Sequence, residues 1–244
     1  MFTRKNLLKK ILVTGMTIAG LCSQAIAGGD FRDIPNTRER SHTRACNLYG
    51  NLALTTDYVS RGYSQTQEDP AFQVGMDVVC GVFYAGFWGT NIDYNTSADF
   101  EVDLYFGMER EYRGTTYGLA FIYYAHDGNT GIDSYEIRSE FTREIGNGIK
   151  LGLISYWNFD DSIYTYEAIA KHKLQKIGPF TPELSGMLGT VTGDGQANDY
   201  VFWHAGVELG FADHFKLDLR YHDTDVNNDT LADERFVATL SAEY

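Results

Sequence analysis

The residues able to do chemistry stand at a period of two. In FEVDLYFGME, residues 100–109, the carboxylates Glu101 and Asp103 alternate with Phe100, Val102, Leu104, Phe106 and Met108. In an extended chain, side chains two apart point the same way. The acids therefore share one face and the large apolar groups share the other. The same spacing returns in DSYEIRSEFTRE, where Glu136, Arg138 and Glu140 oppose Tyr135, Ile137 and Phe141, and in FKLDLRYHD, where Asp218 and Arg220 oppose Leu217 and Leu219. Parity adds Asp57, Asp77, Lys150, Glu167, Lys171 and Glu208 to the charged face. Rows of charge like these can line a wet passage and sort ions by sign. Acids outnumber bases in the set, so such a wall favours cations. The same residues could equally form a closed, salt-bridged interior that conducts nothing.

Other residues suggest narrower chemistries. In DTDVNNDTLADE, Asp223, Asp225, Asn227, Asp229 and Glu234 fall at positions 1, 3, 5, 7 and 12 of a calcium loop, with Asn228 where that loop has its turn glycine. The plain alternative is an acidic outer loop. His222-Asp223 and Asp160-Asp161 could supply a base and its orienting carboxylate for a barrel hydrolase. No G-x-S-x-G nucleophile motif accompanies them, and His126-Asp127 repeats the dipeptide, so no enzyme is expected. Arg61, in SRGYSQ, could project into a passage as a constriction residue or remain a solvated loop residue paired to an acid. Cys46 and Cys80 stand at the start of one predicted strand and the end of the next, on the same face by parity. Cross-strand neighbours can meet disulfide distances, which predicts a Cys46–Cys80 bond.

The elements that hold these residues are strands. About twelve are predicted, at 46–60, 71–80, 82–93, 99–110, 115–125, 133–144, 149–158, 163–174, 180–191, 199–211, 215–223 and 234–244. No helical period intervenes. Alternation alone fits a soluble periplasmic β-sandwich, with its acids in water, or a transmembrane β-barrel, with its apolar face in lipid and its acids in the lumen. The connections separate the two. Long polar segments such as RGYSQTQEDP, YNTSAD, HDGNTGI, FDDSI, TGDGQAND and TDVNNDTLAD alternate with short turns near Gly81, EYRG, GNG, KIGP and ADH. Short periplasmic turns and longer outer loops are the pattern of outer-membrane barrels. The expected fold is an antiparallel up-and-down transmembrane barrel over residues 46–244.

The ends of the chain agree with export. Arg4, Lys5, Lys9 and Lys10 precede the apolar run Ile11–Leu21, and Ala25-Ile26-Ala27 forms a cleavage site. These features predict a signal peptide over residues 1–27, cleaved after Ala27, followed by a polar segment over 28–45. No later stretch is long and apolar enough for a membrane helix, so membrane insertion would require a closed barrel. The last strand ends on Tyr244 and resembles the C-terminal signal read by the bacterial outer-membrane assembly machinery. The 244 residues carry a net charge of −13, which argues against nucleic acid as a partner. Their 17 Tyr and 15 Phe beside 4 Pro suit a β protein.

NLALTTDYVSRGYSQTQEDPAFQVGMDV (51–78), FYAGFWGTNID (83–93), EVDLYFGM (101–108) and the closing YHDTD…LADERFVATLS together resemble the TorF-like porin family, also called the Gcw_chp family. The resemblance covers most of the chain after the signal segment and is densest in its first sixty residues. D-Y-x-x-R-G-x-S-Q, Asp57 to Gln65, is its most specific motif; Ser60 stands where members often carry an aromatic. It implies an outer-membrane barrel. With the charged inner face, the expected function is passive diffusion of small hydrophilic solutes through the bacterial outer membrane, with a mild cation preference. The competing expectation is a closed structural or adhesive barrel that works through its outer loops. The expected partners are outer-membrane lipid, the assembly machinery and small solutes. No cofactor is expected apart from calcium at the outer loop.

Overall fold

The computed structural model describes residues 46–128, 131–193 and 199–244. The expected signal peptide, 1–27, and the polar segment, 28–45, lie outside them. The strands are β1 (Asn47–Thr55), β2 (Val59–Ser60), β3 (Tyr63–Ser64), β4 (Ala71–Cys80), β5 (Phe83–Asn91), β6 (Phe100–Tyr112), β7 (Thr115–His126), β8 (Ser134–Glu144), β9 (Ile149–Asn158), β10 (Ile163–Lys173), β11 (Thr181–Gly193), β12 (Tyr200–Phe211), β13 (Phe215–Thr224) and β14 (Arg235–Glu243). All but β2 and β3 join one closed barrel in chain order, and β1 pairs with β14 to complete the ring. Every neighbouring pair is antiparallel. Closure satisfies the backbone donors and acceptors that an open sheet edge would expose to lipid. This is a twelve-stranded transmembrane β-barrel; no helix among the described residues is long and apolar enough to cross a membrane.

Alternation of side chains builds its two surfaces. On β6, Leu104 and Phe106 are 49% and 62% exposed on the outside, while Glu101 and Asp103 are 0% exposed inside. Register carries the pattern around the ring. Phe106 lies opposite Phe121, and Phe121 opposite Ile137, all on the outer face. On the inner face Gly107 lies opposite Ala120, and Ala120 opposite Arg138. The outer face also carries stacked aromatics, Tyr123 on Tyr135 at 4.8 Å and Tyr135 on Phe159 at 5.8 Å between ring centroids. Amphipathic aromatic rings of this kind suit a lipid–water boundary.

The connections alternate as the sequence predicts. Arg113 and Gly114, with φ of 53° and 76°, make a two-residue turn between Tyr112 and Thr115. Positive φ at both central positions gives the type I′ geometry that matches strand twist. Gly81 opens the turn between Cys80 and Phe83 with φ of 62°. Cys46 and Cys80 lie at this short-turn end, joined by a disulfide with Cα atoms 4.3 Å apart. That separation is close to the roughly 4.5 Å of a cross-strand pair without ladder hydrogen bonds.

Strand bounds agree with the sequence reading within a few residues, except at β1. The pattern predicts a strand to Ser60, but β1 stops at Thr55. Thr55 Oγ1 donates to the carbonyl of Asp57 at 2.8 Å. The Asp57 carboxylate then collects hydroxyl donors from Ser64 and Thr66, which turns the chain inward.

Two measurements check this account. Leu104→Arg, which puts a charge on the lipid face near mid-strand, should cost about 2–4 kcal/mol of stability in urea-dependent folding into lipid vesicles. Replacing Cys46 and Cys80 together by Ser frees a loop with a sequence separation of 34. The chain-entropy relation puts that loss at about 3–4 kcal/mol in the same assay.

Candidate functional site: a charged lumen entered by the first loop

The site is the barrel interior, and its centre is the segment between β1 and β4. Asp57, Tyr58, Ser60, Arg61, Tyr63, Ser64, Gln65 and Thr66 are all buried. They form the small β2–β3 hairpin, which lies inside the ring and pairs with itself rather than with the barrel. Its turn is Arg61-Gly62, with φ of 48° and 85°. A Cβ on Gly62 would sit 2.3 Å from Thr224 Cγ2 on β13, so the close approach demands glycine.

The hairpin touches the wall on several sides. Asp57 accepts hydrogen bonds from Ser64 at 2.7 Å and Thr66 at 2.9 Å, and pairs with Arg235 of β14 at 3.0 Å. Arg235 also donates to the carbonyls of Thr230 and Asp233, which joins the first loop to the last. Tyr58 packs edge-on against Trp88 of β5, with centroids 5.3 Å apart, and donates to Glu101 of β6 at 3.1 Å. Glu101 lies within 3.0 Å of His126 Nε2 and 3.2 Å of the Tyr94 hydroxyl. Tyr63 meets Tyr200 of β12 at 5.4 Å.

Arg61 reaches β8. Its two terminal nitrogens donate to the two carboxylate oxygens of Glu136, at 3.2 and 3.0 Å. Tyr124 donates to the same carboxylate at 2.9 Å. The guanidinium lies 4.7 Å from the centre of the Tyr156 ring. Arg138, on β8, donates to the Tyr156 hydroxyl at 3.3 Å and pairs with Glu140 at 2.6 Å. Bidentate guanidinium–carboxylate pairing adds geometric specificity to the charge match. Of the two readings for Arg61, the structure has it buried in the lumen and paired to an acid; it is not a solvated loop residue.

Most of the remaining charged residues lie towards the short-turn end. Asp77 accepts from Tyr105 at 2.9 Å. Lys171 pairs with Glu183 at 3.7 Å, and Asp218 with Arg220 at 2.7 Å. Arg220 also lies 2.8 Å from His204 Nδ1, whose ring faces His222 at 5.2 Å. Lys216 bridges Glu208 at 3.6 Å and Glu243 at 3.0 Å. Lys150 stands opposite Glu144 and Lys171, and Glu167 opposite Ile154; both are half-buried on the inner face. A cavity of about 350 Å³ opens at this end, lined in part by Lys173, Glu183, Glu208, His214, Lys216 and Glu243. The charged set read from the sequence omits Glu183 and Glu243, although parity along β11 and β14 places them inward, and leaves out Lys216, which alternation puts on the polar face of β13 with Asp218 and Arg220. It also missed Tyr58, Tyr124, Tyr156 and Arg235, whose roles depend on the inward turn of the first loop.

The loop from Asp223 to Glu234 spends its side chains on backbone amides, its own and that of Val201 on β12. Asp223 accepts from the Thr224 amide, Asp225 from the Val201 amide at 2.8 Å, and Asp229 from the Leu231 amide at 3.2 Å. The amide of Asn227 donates to the Asp225 carbonyl. Among the described residues no group of three or more His, Cys, Asp or Glu is placed to hold a metal. His222 and Asp223 are successive strand residues and point to opposite faces, so Asp223 does not orient His222 as a base. Asp160 and Asp161 lie in the β9–β10 loop, where their amides donate to the Asn158 side chain. Partial burial, with the neighbouring Asp160 charge, raises the Asp161 pKa.

The barrel is similar in fold to several solved outer-membrane proteins. The KdgM porin superposes with a TM-score of 0.59 at 6% identity, over 80% of this chain and 98% of that one. The COG4313 outer membrane channel from Pseudomonas putida F1 gives 0.52 at 11%, over 90% and 99%. The NanC porin gives 0.52 at 9%, over 81% and 99%. At these identities the likeness concerns fold alone. No curated protein matches the chain. A family model does, over residues 39–244, a span that contains the whole barrel and the D-Y-x-x-R-G-x-S-Q motif of the lumen hairpin. The chain belongs to the Gcw_chp family, described as a bacterial protein of unknown function.

Proposed function

We propose that the protein is a passive diffusion channel of the bacterial outer membrane for small hydrophilic solutes, with a mild preference for cations. One observation carries the reading: an apolar exterior encloses an interior of interleaved charges that opens into a cavity at the short-turn end. A barrel built only as a scaffold could fill its interior with packed apolar side chains, which cost less to bury than paired ions. Outer-membrane location and assembly through the β14 strand, ending at Tyr244, belong to the same reading. Asp57, Asp77, Glu101, Asp103, Glu136, Arg138, Glu140, Lys150, Glu167, Lys171, Glu208, Asp218 and Arg220 are the proposed pore lining, and Arg61 marks its narrowest level. The acid excess supports cation preference. KdgM is described in complex with oligogalacturonate; the acid-rich wall here suits cationic and neutral solutes better.

A second reading has its own support. Glu101, Asp103, Glu136 and Asn158 are 0% exposed, so the outer half of the interior is packed. That favours a closed barrel acting through its loops. Single-channel recording of the refolded protein in a planar bilayer decides between them. The channel reading expects discrete steps in KCl and a reversal potential of cationic sign in a salt gradient. Glu208→Lys, in the open half, should move that potential towards anions. Silence from verified folded barrel, with the first loop intact or removed, would leave the closed reading standing.

A further inference from the structure

We propose that the β2–β3 hairpin is a displaceable plug, and that passage through the barrel requires it to leave its seat. The proposal rests on the channel reading and adds the element that controls it.

The hairpin fills the outer half of the lumen from several sides. Its contacts reach β5 and β6 through Tyr58, β8 through Arg61, β12 through Tyr63, β13 through Gly62 and β14 through Asp57. With the hairpin in place, Glu101, Asp103 and Glu136 are sealed from water. Solutes cannot pass wall charges that water itself does not reach.

Three features make the seat reversible. The hairpin is outside the barrel ladder, since β2 and β3 pair with each other. Strands of two residues, held mainly by side-chain contacts, belong to the low-stability end of a fold and open without global unfolding. The segment also hangs from one place on the rim. It departs at Thr55 and returns at Ala71, and these residues lie directly opposite each other on adjacent strands. The hairpin can therefore swing outward while the β1–β4 ladder stays intact. Finally, its contacts with the wall include three polar ones beside the aromatic packing of Tyr58 on Trp88 and of Tyr63 on Tyr200. Arg61 with Glu136, Asp57 with Arg235 and Tyr58 with Glu101 exchange protein partners for water as the plug leaves. An apolar plug would instead expose its core. Departure turns Glu101, Asp103, Glu136, Arg138 and Tyr156 into the wall of an open passage.

The seat supplies its own test. A Cβ built on Gly62 lies 3.7 Å from Thr224 Cβ, within the spacing of about 3.5–4.5 Å that a disulfide takes. The double variant Gly62→Cys/Thr224→Cys should cross-link on oxidation, as read by mass under non-reducing conditions. Its conductance in KCl should then fall by about tenfold or more and return on reduction, while wild type treated identically is unchanged. Because a side chain at Gly62 is strained, a second variant replaces Val59–Gln65 with a short glycine linker. Verified as folded barrel by heat-modifiable migration, it should conduct in wide, continuous steps where wild type shows brief ones. A cross-linked barrel that conducts like wild type, or a deletion with wild-type conductance, would overturn the plug. Silence in every variant, the deletion included, would overturn the channel reading and the plug with it.

Discussion

A barrel in lipid has nowhere outside to put a charge. An ionised side chain near the middle of a spanning strand must turn inward, and inside it must find a counter-charge, a hydrogen bond or water; those on the outer face, such as Arg110 and Arg143, stand near strand ends. That constraint organises the molecule. It sets the alternation along β6, where Glu101 and Asp103 face in while Leu104 and Phe106 face out. It also requires partners for a strand such as β8, which brings Glu136, Arg138 and Glu140 to one inner face. Within the wall, Arg138 pairs with Glu140. Glu136 needs a cation from elsewhere, and the first loop delivers one in Arg61.

The two halves of the lumen meet the constraint differently. Towards the short turns, ion pairs such as Lys216 with Glu243 stay partly exposed and a cavity remains. Water does much of the work there, and such pairs contribute little to stability. Towards the long loops, charges are fully buried and rely on protein partners. Removing one partner of a buried pair costs roughly 3–5 kcal/mol, far more than at the surface. The packing is correspondingly close. Gly189, on the inner face of β11, sits against the ring of Phe202, where a Cβ would lie 2.3 Å from Cζ. Gly62 plays the matching part at the tip of the hairpin. The outer half is thus both the more ordered part of the interior and the part that a solute must disturb.

Most of the wall is legible in the sequence because its physics is local. A strand with period two, a short turn with glycine at positive φ and a cysteine at each end of the first hairpin are visible one segment at a time. The loop between β1 and β4 is not. Asp57 to Ser60 reads as the end of the first strand and Arg61 to Thr66 as a polar loop, and a polar loop next to water is the ordinary expectation. Its inward course depends on partners far along the chain: Glu136 for Arg61, Arg235 for Asp57, Thr224 for Gly62. The Arg-Gly pair between Val59-Ser60 and Tyr63-Ser64 is a local sign of a tight hairpin. The direction in which that hairpin points is not locally encoded. The calcium-like spacing is likewise used locally. Asp225 and Asp229 have the right positions along the chain, but they serve the amides of Val201 and Leu231 instead of a common centre.

The central claim is the division of the wall into a lipid face and a lumen face, and β6 tests it most directly. Nitroxide labels would be placed one at a time at Phe100, Val102, Leu104, Phe106 and Met108 of the barrel folded in lipid vesicles. Their relaxation would be measured against oxygen, which concentrates in lipid, and a nickel chelate, which stays in water. The account predicts strong oxygen access along this face, greatest near Leu104 and Phe106, with the chelate excluded. Chelate access at Leu104 and Phe106 would put that face in water and contradict a membrane-spanning barrel.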